Sequence, residues 1–275
     1  MKIFIDSAKL EEIKEIYDAG ILEGVTTNPS LIKSAVAEIK GRGEKLDIKR
    51  YIKKILISVP KAKVSLAVTA GTYEEMVEEG KNLFEIFNPI AKNVYIKIPI
   101  NPSFDKNERY LDGLKAIKKL SYEKIPINCT LIFTPEQALL AAKAGAKIVS
   151  LFVGRVDDYL RVLNKVPFSK SDYFPAKGKE GWHDNGIVSG IDLVRQVVEI
   201  FRKYNIKSEV LAASIRNARQ AREAALVGAD IATLPFEVIK EMLSHYKTKE
   251  GMIDFTKDSP PEYLNLTRKV EPKRK

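Results

Sequence analysis

Short β-branched runs alternate with longer stretches of helical periodicity along most of the chain. Such alternation is typical of βα units that build a parallel sheet. The predicted strands cover residues 2–6, 24–28, 63–69, 93–99, 127–133, 147–153, 208–214 and 230–235. The predicted helices cover about 8–18, 44–58, 72–87, 110–121, 135–144, 190–204, 216–227 and 236–247, with a short extra helix near 29–37. Eight βα units fit a (β/α)8 barrel.

A partial internal repeat supports one repeated unit. The segments "AAKAGAKIVSLF" (141–152) and "AALVGADIATLP" (224–235) align without gaps, and "DAGILEGVTTNP" (18–29) shares their helix-ending glycine. Glycine at this position lets a helix stop and the chain turn into the next strand. An open doubly wound sheet would usually carry a Gly-rich phosphate loop after its first strand, and "IDSAKL" contains none. The sequence therefore predicts an α/β fold with one TIM barrel over residues 1–247.

Two segments do not fit the repeat. Residues 159–189 are polar, aromatic and Gly-rich and follow the sixth strand, so we expect them as an inserted βα loop on the face where barrel enzymes hold their chemistry. Residues 248–275 are predicted to form a basic C-terminal extension that is helical only in part.

The chain carries a net charge of +10, but its lysines are scattered among glutamates, and only the tail "TRKVEPKRK" is a basic block. This pattern indicates that most of the charge lies on a solvated surface, and the positive excess modestly favours phosphorylated ligands. A nucleic-acid partner is disfavoured because the basic residues are not interleaved with aromatic ones.

The single cysteine, Cys129, excludes an internal disulfide, and the two histidines, His183 and His245, make a metal site unexpected. No apolar run reaches the roughly 20 residues that span a bilayer, and the start "MKIFIDSAKL" lacks the apolar stretch of a signal peptide. We therefore expect a protein of the cytoplasm with no membrane partner.

Polar side chains cluster at the carboxyl ends of the predicted strands, where a barrel enzyme would place its catalytic groups. They are Asp6, Thr26, Asn28, Lys97, Asn128, Thr130, Ser150 and Ser214. These residues also have structural alternatives. Asp6 or Ser7 could cap a helix, and Asn28 could stabilise a turn. Asn128 and Thr130 could satisfy buried backbone groups, and Ser150 and Ser214 could fill the core.

Lys97 is the most informative of these residues. In "NVYIKIPINPS", alternation places Val94, Ile96 and Ile98 on one strand face and Tyr95 and Lys97 on the other, which predicts that Lys97 points into the barrel. Burial lowers the pKa of an amine and leaves it neutral and nucleophilic. Such an amine forms a Schiff base with a carbonyl. The alternative is a purely structural buried ion pair with Asp6.

Four stretches resemble the transaldolase family, in particular the short branch that contains fructose-6-phosphate aldolase. They are "FIDSAKLEEIKEIYDAGILEGVTTNPSLI", "YIKIP", "INCTLIFTPEQALLAAKAGAKIVSLFVGRVDD" and "LAASIRNARQAREAALVGADIATLPFEVI". The resemblance implies a (β/α)8 barrel, a Schiff base on Lys97, no cofactor, a phosphorylated sugar as substrate, and a role in carbohydrate metabolism such as the pentose phosphate pathway. It also implies a homo-oligomer, such as a pentamer or decamer.

The resemblance also assigns individual roles. Asp6 would be the acid/base that handles the substrate hydroxyl proton, and Thr130 would help to orient the water that relays protons. Contacts with the sugar chain would come from Thr26, Asn28, Asn128, Ser150 and Phe152. The acceptor's phosphate would be held by Arg155, Ser214 and Arg216, where a guanidinium offers phosphate a bidentate fork and Arg216 would begin a helix. Arg155 has the alternative of an ion pair with Asp157 or Asp158.

Two residues depart from the family pattern. Ala67 stands where the family has a glutamate, or a glutamine in the aldolase branch, that polarises the proton-shuttling water. Phe152 stands where the aldolase branch has a tyrosine. The insertion at 159–189 and the "INPSFDKNERY" loop after Lys97 are further differences that could cover the pocket.

Three functions remain open from the sequence. The preferred one is a transaldolase that moves a dihydroxyacetone unit through Lys97. The second is an aldolase in which Tyr173, His183 or Asp184 of the insertion supplies a general base. The third is a catalytically impaired paralogue, because of Ala67, that binds a sugar phosphate.

Overall fold

Eight parallel strands close into a barrel in the computed structural model, which describes residues 1–41, 43, 47–101 and 109–267. The strands pair in chain order, and the eighth pairs with the first. They are β1 (Lys2–Asp6), β2 (Gly24–Thr26), β3 (Lys63–Ala67), β4 (Val94–Pro99), β5 (Ile127–Ile132), β6 (Ile148–Phe152), β7 (Glu209–Ala213) and β8 (Ile231–Leu234). The predicted (β/α)8 TIM barrel is confirmed.

Helices alternate with the strands along the chain. The described ranges contain α1 (Leu10–Asp18), α2 (Pro29–Gly41), α3 (Ile48–Ser58), α4 (Tyr73–Ala91), α5 (Asp112–Tyr122), α6 (Pro135–Ala144), α7 (Val153–Leu163), α8 (Gly190–Lys203), α9 (Ala218–Leu226), α10 (Phe236–Leu243), α11 (Tyr246–Asp258) and α12 (Pro261–Thr267). Most predicted bounds lie within a few residues of these. The glycines that end helices before β2, β6 and β8 have positive φ, as the repeat predicts: Gly20, Gly145 and Gly228.

The two faces of the strands pack into different clusters. Val94, Ile96 and Ile98 of β4 are at most 1% exposed and belong to the large core of the strand backs and helices. Tyr95 packs with a smaller cluster made of Phe4, Ile148, Leu211, Ala213 and Ile231. Because Lys97 shares the face of Tyr95, its side chain enters the barrel as alternation predicts.

Helix α7 was not predicted. It includes the first residues of the segment that was expected to be an inserted loop. The segment Val153–Leu163 begins directly after β6 and buries Val153, Val156 and Leu160, which recur at helical spacing. Gly154 and two adjacent aspartates weaken this signal in the sequence. The irregular part of the insertion therefore lies at 164–189, between α7 and α8, and the segment 159–163 is helical.

Three charged side chains lie together at the end of the barrel opposite the candidate site. Glu209 at the start of β7 contacts both Lys2 of β1 and Lys63 of β3. These contacts with the two ammonium groups lower the pKa of Glu209, although its partial burial acts in the opposite direction. One carboxylate thus joins three strands across the barrel.

The residues up to Ile239 form one compact unit, and a second begins at Lys240. The predicted boundary at 247–248 lies within the second unit. That unit includes α11 and α12, so the predicted partly helical extension contains two helices among its described residues. The part of the basic tail at 268–275 lies outside the described residues, as does segment 102–108 of the loop after Lys97. Among the described helices, none combines the length and the hydrophobicity of a membrane-spanning segment.

Candidate active site

A cavity of about 220 Å³ opens at the carboxyl ends of the strands. Ten of the eleven predicted site residues line it: Asp6, Thr26, Asn28, Lys97, Thr130, Ser150, Phe152, Arg155, Ser214 and Arg216. The predictions missed its other lining residues, which are Lys170, Leu211, Ala213, Ile215, Thr233 and Pro235. Residues far apart in the chain meet here because parallel strands present their carboxyl ends at one face.

Lys97 is 8% exposed, and its Nζ donates a hydrogen bond to the carbonyl oxygen of Thr27 at 2.9 Å. Burial lowers its pKa, the nearby Asp6 carboxylate opposes this change, and Arg155 adds to it. Within the described ranges no ion pair joins Lys97 to Asp6. The environment therefore favours a neutral amine over the structural ion pair.

Asp6 accepts a hydrogen bond from the Thr26 hydroxyl at 2.8 Å, and Thr26 Oγ1 lies 2.6 Å from Thr233 Oγ1. Since a hydroxyl has one proton and Thr26 gives it to Asp6, Thr233 is the donor in the second bond. Burial raises the pKa of Asp6, while Lys97 and the Thr26 hydrogen bond oppose the rise. Asp6 thus belongs to a relay of hydroxyl groups that the sequence prediction lacked.

Asp6 does not cap α1, which was its structural alternative. The residue before α1 is Lys9, which makes no side-chain cap. Ser7 instead accepts a hydrogen bond from the Lys9 amide at 3.0 Å and donates to Glu12. The carboxylate of Asp6 is therefore directed to the cavity.

Asn28 both caps a helix and lines the cavity. Its Oδ1 accepts a hydrogen bond from the Leu31 amide at 2.9 Å at the start of α2, and the residue also lines the cavity. The cap fixes the side chain by tying it to the helix, so the contact surface that Asn28 presents to a ligand is held in place.

Asn128 does not line the cavity but supports a residue that does. Its Nδ2 donates to Ser65 Oγ at 3.1 Å, and its Oδ1 accepts from Ser150 Oγ at 2.6 Å. All three side chains are buried. This network holds Ser150 against the cavity wall, and its bonds go to side chains rather than to the buried backbone groups of the structural alternative for Asn128.

Ala67, where the resemblance implies a glutamate, supplies no polar group beside Lys97. The two residues pair in register on β3 and β4. The Thr130 hydroxyl is buried and has no hydrogen-bond partner among the described residues. Glu79, a carboxylate near the end of β3, already accepts bonds from the Thr69 and Ala70 amides. No carboxylate of the described chain is thus seen to take the place of the missing one.

Phe152 and Arg155 form one wall of the cavity. The guanidinium of Arg155 lies 4.9 Å from the centre of the Phe152 ring, and this ring is 5.7 Å from that of Phe133. The alternative ion pair of Arg155 with an aspartate is not found in the described structure. Asp157 instead accepts from the Gly190 amide, and Asp158 pairs with Arg216.

Arg216 was predicted to begin a helix, but it precedes α9 by two residues. Asn217 is the N-cap, because its side chain accepts from the Gln220 amide. The Arg216 amide donates to Gln220 Oε1 at 2.8 Å, and its Nη2 donates to Asp158 Oδ2 at 3.0 Å. Its Nε is buried and has no partner in the described chain. Ser214, before it, has a left-handed φ of 60°.

The residues proposed from the insertion do not reach the cavity. Tyr173 donates its hydroxyl to Glu223 at 2.7 Å, and neither His183 nor Asp184 lines the cavity. Lys170 is the residue of the insertion that lines it. Position along the sequence could not select it, because the fold of an irregular segment decides which side chain turns inward.

The described residues contain no group of three or more His, Cys, Asp or Glu side chains arranged to hold a metal ion. The cavity instead combines a buried amine, a partly buried carboxylate, hydroxyl groups and two guanidinium groups. This set suits covalent attack on a carbonyl, proton transfer by a carboxylate and binding of an anion.

The chain was compared with known proteins. The family model of transaldolase/fructose-6-phosphate aldolase matches residues 3–271. A protein of Nitrosopumilus maritimus named "probable transaldolase" is 41% identical over 259 residues, covering 94% of each chain. Proteins of the same name from Chlorobaculum parvum and Thermoplasma acidophilum are 40% and 41% identical, covering 94% of this chain and 98% and 95% of their own. With its barrel and its buried lysine, the chain belongs to the transaldolase/fructose-6-phosphate aldolase family.

Proposed function

We propose that the protein is a transaldolase that moves a dihydroxyacetone unit between sugar phosphates through a Schiff base on Lys97. The observation that carries this proposal is the buried Lys97 amine, whose pKa is lowered by burial, beside the carboxylate of Asp6. The relatives named "probable transaldolase" support the same activity. The location in the cytoplasm stays a prediction from the sequence.

The proposed reaction begins when the Lys97 amine attacks the ketone carbon of the donor sugar phosphate. Loss of water gives a protonated Schiff base. Asp6 then takes the proton of the hydroxyl on the carbon that leaves, the carbon–carbon bond breaks, and its electron pair moves toward the iminium nitrogen to give an enamine. The departing fragment is an aldehyde. The enamine carbon then attacks the acceptor aldehyde, Asp6 returns the proton, and hydrolysis frees Lys97.

The phosphate of the sugar is proposed to bind at the Arg155 and Arg216 end of the cavity. Asp158 fixes the guanidinium of Arg216, while Arg155 lies over the Phe152 ring. A planar guanidinium matches two oxygens of a phosphate. Ser214 adds a hydroxyl at the same end.

Trapping tests the nucleophile. Borohydride added with fructose 6-phosphate should reduce the Schiff base and add the mass of a dihydroxyacetone unit to the peptide that contains Lys97. Lys97→Met should abolish both the label and turnover, while Lys92→Met, two residues before the start of β4, should keep both. An unlabelled active protein, or activity that survives in Lys97→Met, would contradict the proposal.

An aldolase is the second candidate, and product analysis separates it from a transaldolase. Release of free dihydroxyacetone from fructose 6-phosphate indicates an aldolase, while transfer to an added aldose phosphate indicates a transaldolase. We expect transfer, because Phe152 stands where the aldolase branch has a tyrosine and has no phenol group that could transfer a proton.

An impaired paralogue is the third candidate, and it is favoured by Ala67 beside Lys97 and by the buried Thr130 hydroxyl, which has no partner among the described residues. Ala67→Glu should raise the turnover roughly tenfold or more, because a positioned general acid/base contributes about a hundredfold or more to a proton transfer. Ala67→Gln controls for size without the charge. An unchanged rate in Ala67→Glu would mean that another group already polarises the water.

A homo-oligomer is also proposed. Within the C-terminal unit, Tyr246, Phe255 and Leu266 are each more than 70% exposed on α11 and α12. Apolar side chains in such number favour burial against another copy. Light scattering should give the mass of a pentamer or decamer, and Phe255→Glu should reduce it.

A further inference from the structure

We propose that Lys170 is a phosphate-binding, specificity-determining residue that the insertion adds to the active site. The proposal rests on the proposed function, since it names a further contact for the same substrate. Lys170 lines the cavity together with Arg155, Ser214 and Arg216. It is the part of the 164–189 segment that reaches the cavity, and the resemblance assigned it no role.

Lys170 is presented by a tight turn. The Asp172 amide donates to the Ser169 carbonyl at 3.0 Å, which closes a four-residue turn with Lys170 at its second position. The Asp172 carboxylate accepts from the Ser169 amide at 2.8 Å, and the Ser169 and Ser171 hydroxyls lie 3.2 Å apart. These bonds fix the backbone that carries Lys170, so the position of its Cα does not depend on a ligand.

Arg161 of α7 holds this turn against the barrel. The residue is 5% exposed, and its guanidinium lies 5.1 Å from the rings of both Phe168 and Phe174, which flank the turn in the chain. Its Nη2 donates to the Asp172 carbonyl at 2.8 Å, inside the turn itself. A buried cation with two aromatic faces and a carbonyl partner is a firm anchor.

The anchor is shared with the phosphate-binding arginine. Asp158 lies 3.6 Å from Nη1 of Arg161 and 3.0 Å from Nη2 of Arg216. One carboxylate therefore positions both the turn that carries Lys170 and the guanidinium of Arg216. The insertion and the anion end of the cavity are thereby built as a single unit.

The charges at this end favour a dianion. Arg155, Lys170, Arg216 and the anchoring Arg161 supply four positive charges, and Asp158 supplies one negative charge. Lys170 is exposed and makes no ion pair with any described residue. A phosphate monoester carries about −1.5 to −2 charge at neutral pH, so it would offset at least half of this positive excess.

A contact with the phosphate is made equally in the ground state and the transition state, since the phosphate does not react. Such a contact lowers KM and leaves kcat unchanged. Lys170 is therefore expected to favour phosphorylated sugars over neutral ones without taking part in the chemistry.

The test compares Lys170→Met with Lys177→Met, a control in the same insertion whose exposed lysine does not line the cavity. Inorganic phosphate is titrated into each protein by calorimetry, which needs no turnover. Lys170→Met should weaken phosphate binding about three- to tenfold, the range for one partly solvated charge contact. Lys170→Arg should bind phosphate as the unchanged protein does, and so should Lys177→Met.

Kinetics supply the second readout. Lys170→Met should raise KM for fructose 6-phosphate by a similar factor, with kcat and KM for unphosphorylated fructose unchanged. Equal phosphate affinity in Lys170→Met and Lys177→Met would overturn the proposal, and so would a loss in kcat alone. A protein that fails to trap substrate on Lys97 but loses phosphate affinity in Lys170→Met would disprove the transaldolase activity and keep the phosphate contact.

Discussion

At the scale of single residues, burial and the partner's charge have opposite effects on the pKa of Lys97, and the same holds for the pKa of Asp6. Burial favours the neutral form of each, whereas the charge of each favours the ionised form of the other. The amine must be neutral to attack, and the carboxylate must be ionised to take a proton. Because burial is the larger influence on both, Lys97 is held toward its reactive form, and Thr26 and Lys97 partly restore that of Asp6.

The Asp6→Asn variant should shift the pH dependence of Schiff-base trapping. Asp6 raises the pKa of Lys97, so removal of its charge should lower that pKa further and move the acidic limb of the trapping profile to lower pH. Overall turnover should fall roughly a hundredfold or more, because the acid/base is lost. Borohydride trapping across a pH series measures the first effect, and transfer kinetics measure the second.

Arg155→Met serves as the opposing variant. Arg155 lowers the pKa of Lys97, so its removal should move the acidic limb to higher pH. A shift in the same direction for both variants would mean that charge is not what sets the profile.

At the scale of elements, α7 positions the end of the cavity that contains Arg155 and Arg216. Its adjacent Asp157 and Asp158 face different partners. Asp157 accepts from the Gly190 amide at the start of α8 and from Gln220 of α9, both at 2.7 Å. Gln220 in turn accepts from the Arg216 amide. The helix after β6 therefore holds both the backbone and the guanidinium of Arg216.

The insertion is tied to α8 by its capping residue, Ser189. Its hydroxyl accepts from the Asp192 amide at 2.9 Å and donates to the Ala176 carbonyl at 2.7 Å. Ser189→Ala should lower the free energy of unfolding by about 2 kcal/mol, because a cap and a buried hydrogen bond are lost together. Chemical denaturation measures this loss.

Thr134→Ala is the matched control, because Thr134 caps α6 and accepts from the Gln137 amide at 3.2 Å. It should cost only about 1 kcal/mol, the usual value of a cap alone. Equal losses in the two variants would show that the bond to the insertion contributes no stability.

At the scale of the whole molecule, the barrel separates stability from chemistry. One end is closed by Glu209 with Lys2 and Lys63, while the other end carries the cavity. Between them the inner cluster around Phe4 and Leu211 fills the barrel with apolar side chains. The ionisable groups of the site are thus isolated from water on one side, which is the cause of their shifted pKa values.

The stability of the protein should depend on pH through Asp157. Burial raises the pKa of this carboxyl from its ordinary value of 3.8 to about 7. The folded state thus holds the proton more tightly than the unfolded chain, so the stability from this group is full below pH 3.8 and is lost as pH rises to about 7. The slope is at most about 1.4 kcal/mol per pH unit.

Asp157→Asn should remove that slope, because an amide does not titrate. Urea denaturation of both proteins between about pH 5 and pH 7 compares the slopes, and above about pH 8 the two curves should run parallel. Parallel curves over the whole range would mean that Asp157 is ionised in the folded protein at every pH tested.

Much of the site was predictable because strand periodicity is local. Alternation in β4 alone places Lys97 inward, and the residues that end β1, β2, β5 and β6 follow the same rule. Elements with mixed signals were less predictable. Helix α7 contains a glycine and paired aspartates, and its burial of Arg161 depends on Phe168 and Phe174, which no periodicity in the chain connects to it.

The sequence by itself determined the barrel, the inward lysine and the family, because each depends on patterns of a few residues repeated along the chain. Only the tertiary structure decided that Asp158 pairs with Arg216, that Thr233 extends the relay to Asp6, that the buried Thr130 hydroxyl has no partner among the described residues, and that Lys170 is the residue of the insertion at the cavity. These contacts join residues from different βα units. Their geometry follows from closure of the sheet and from packing of irregular chain, and neither leaves a local signal in the sequence.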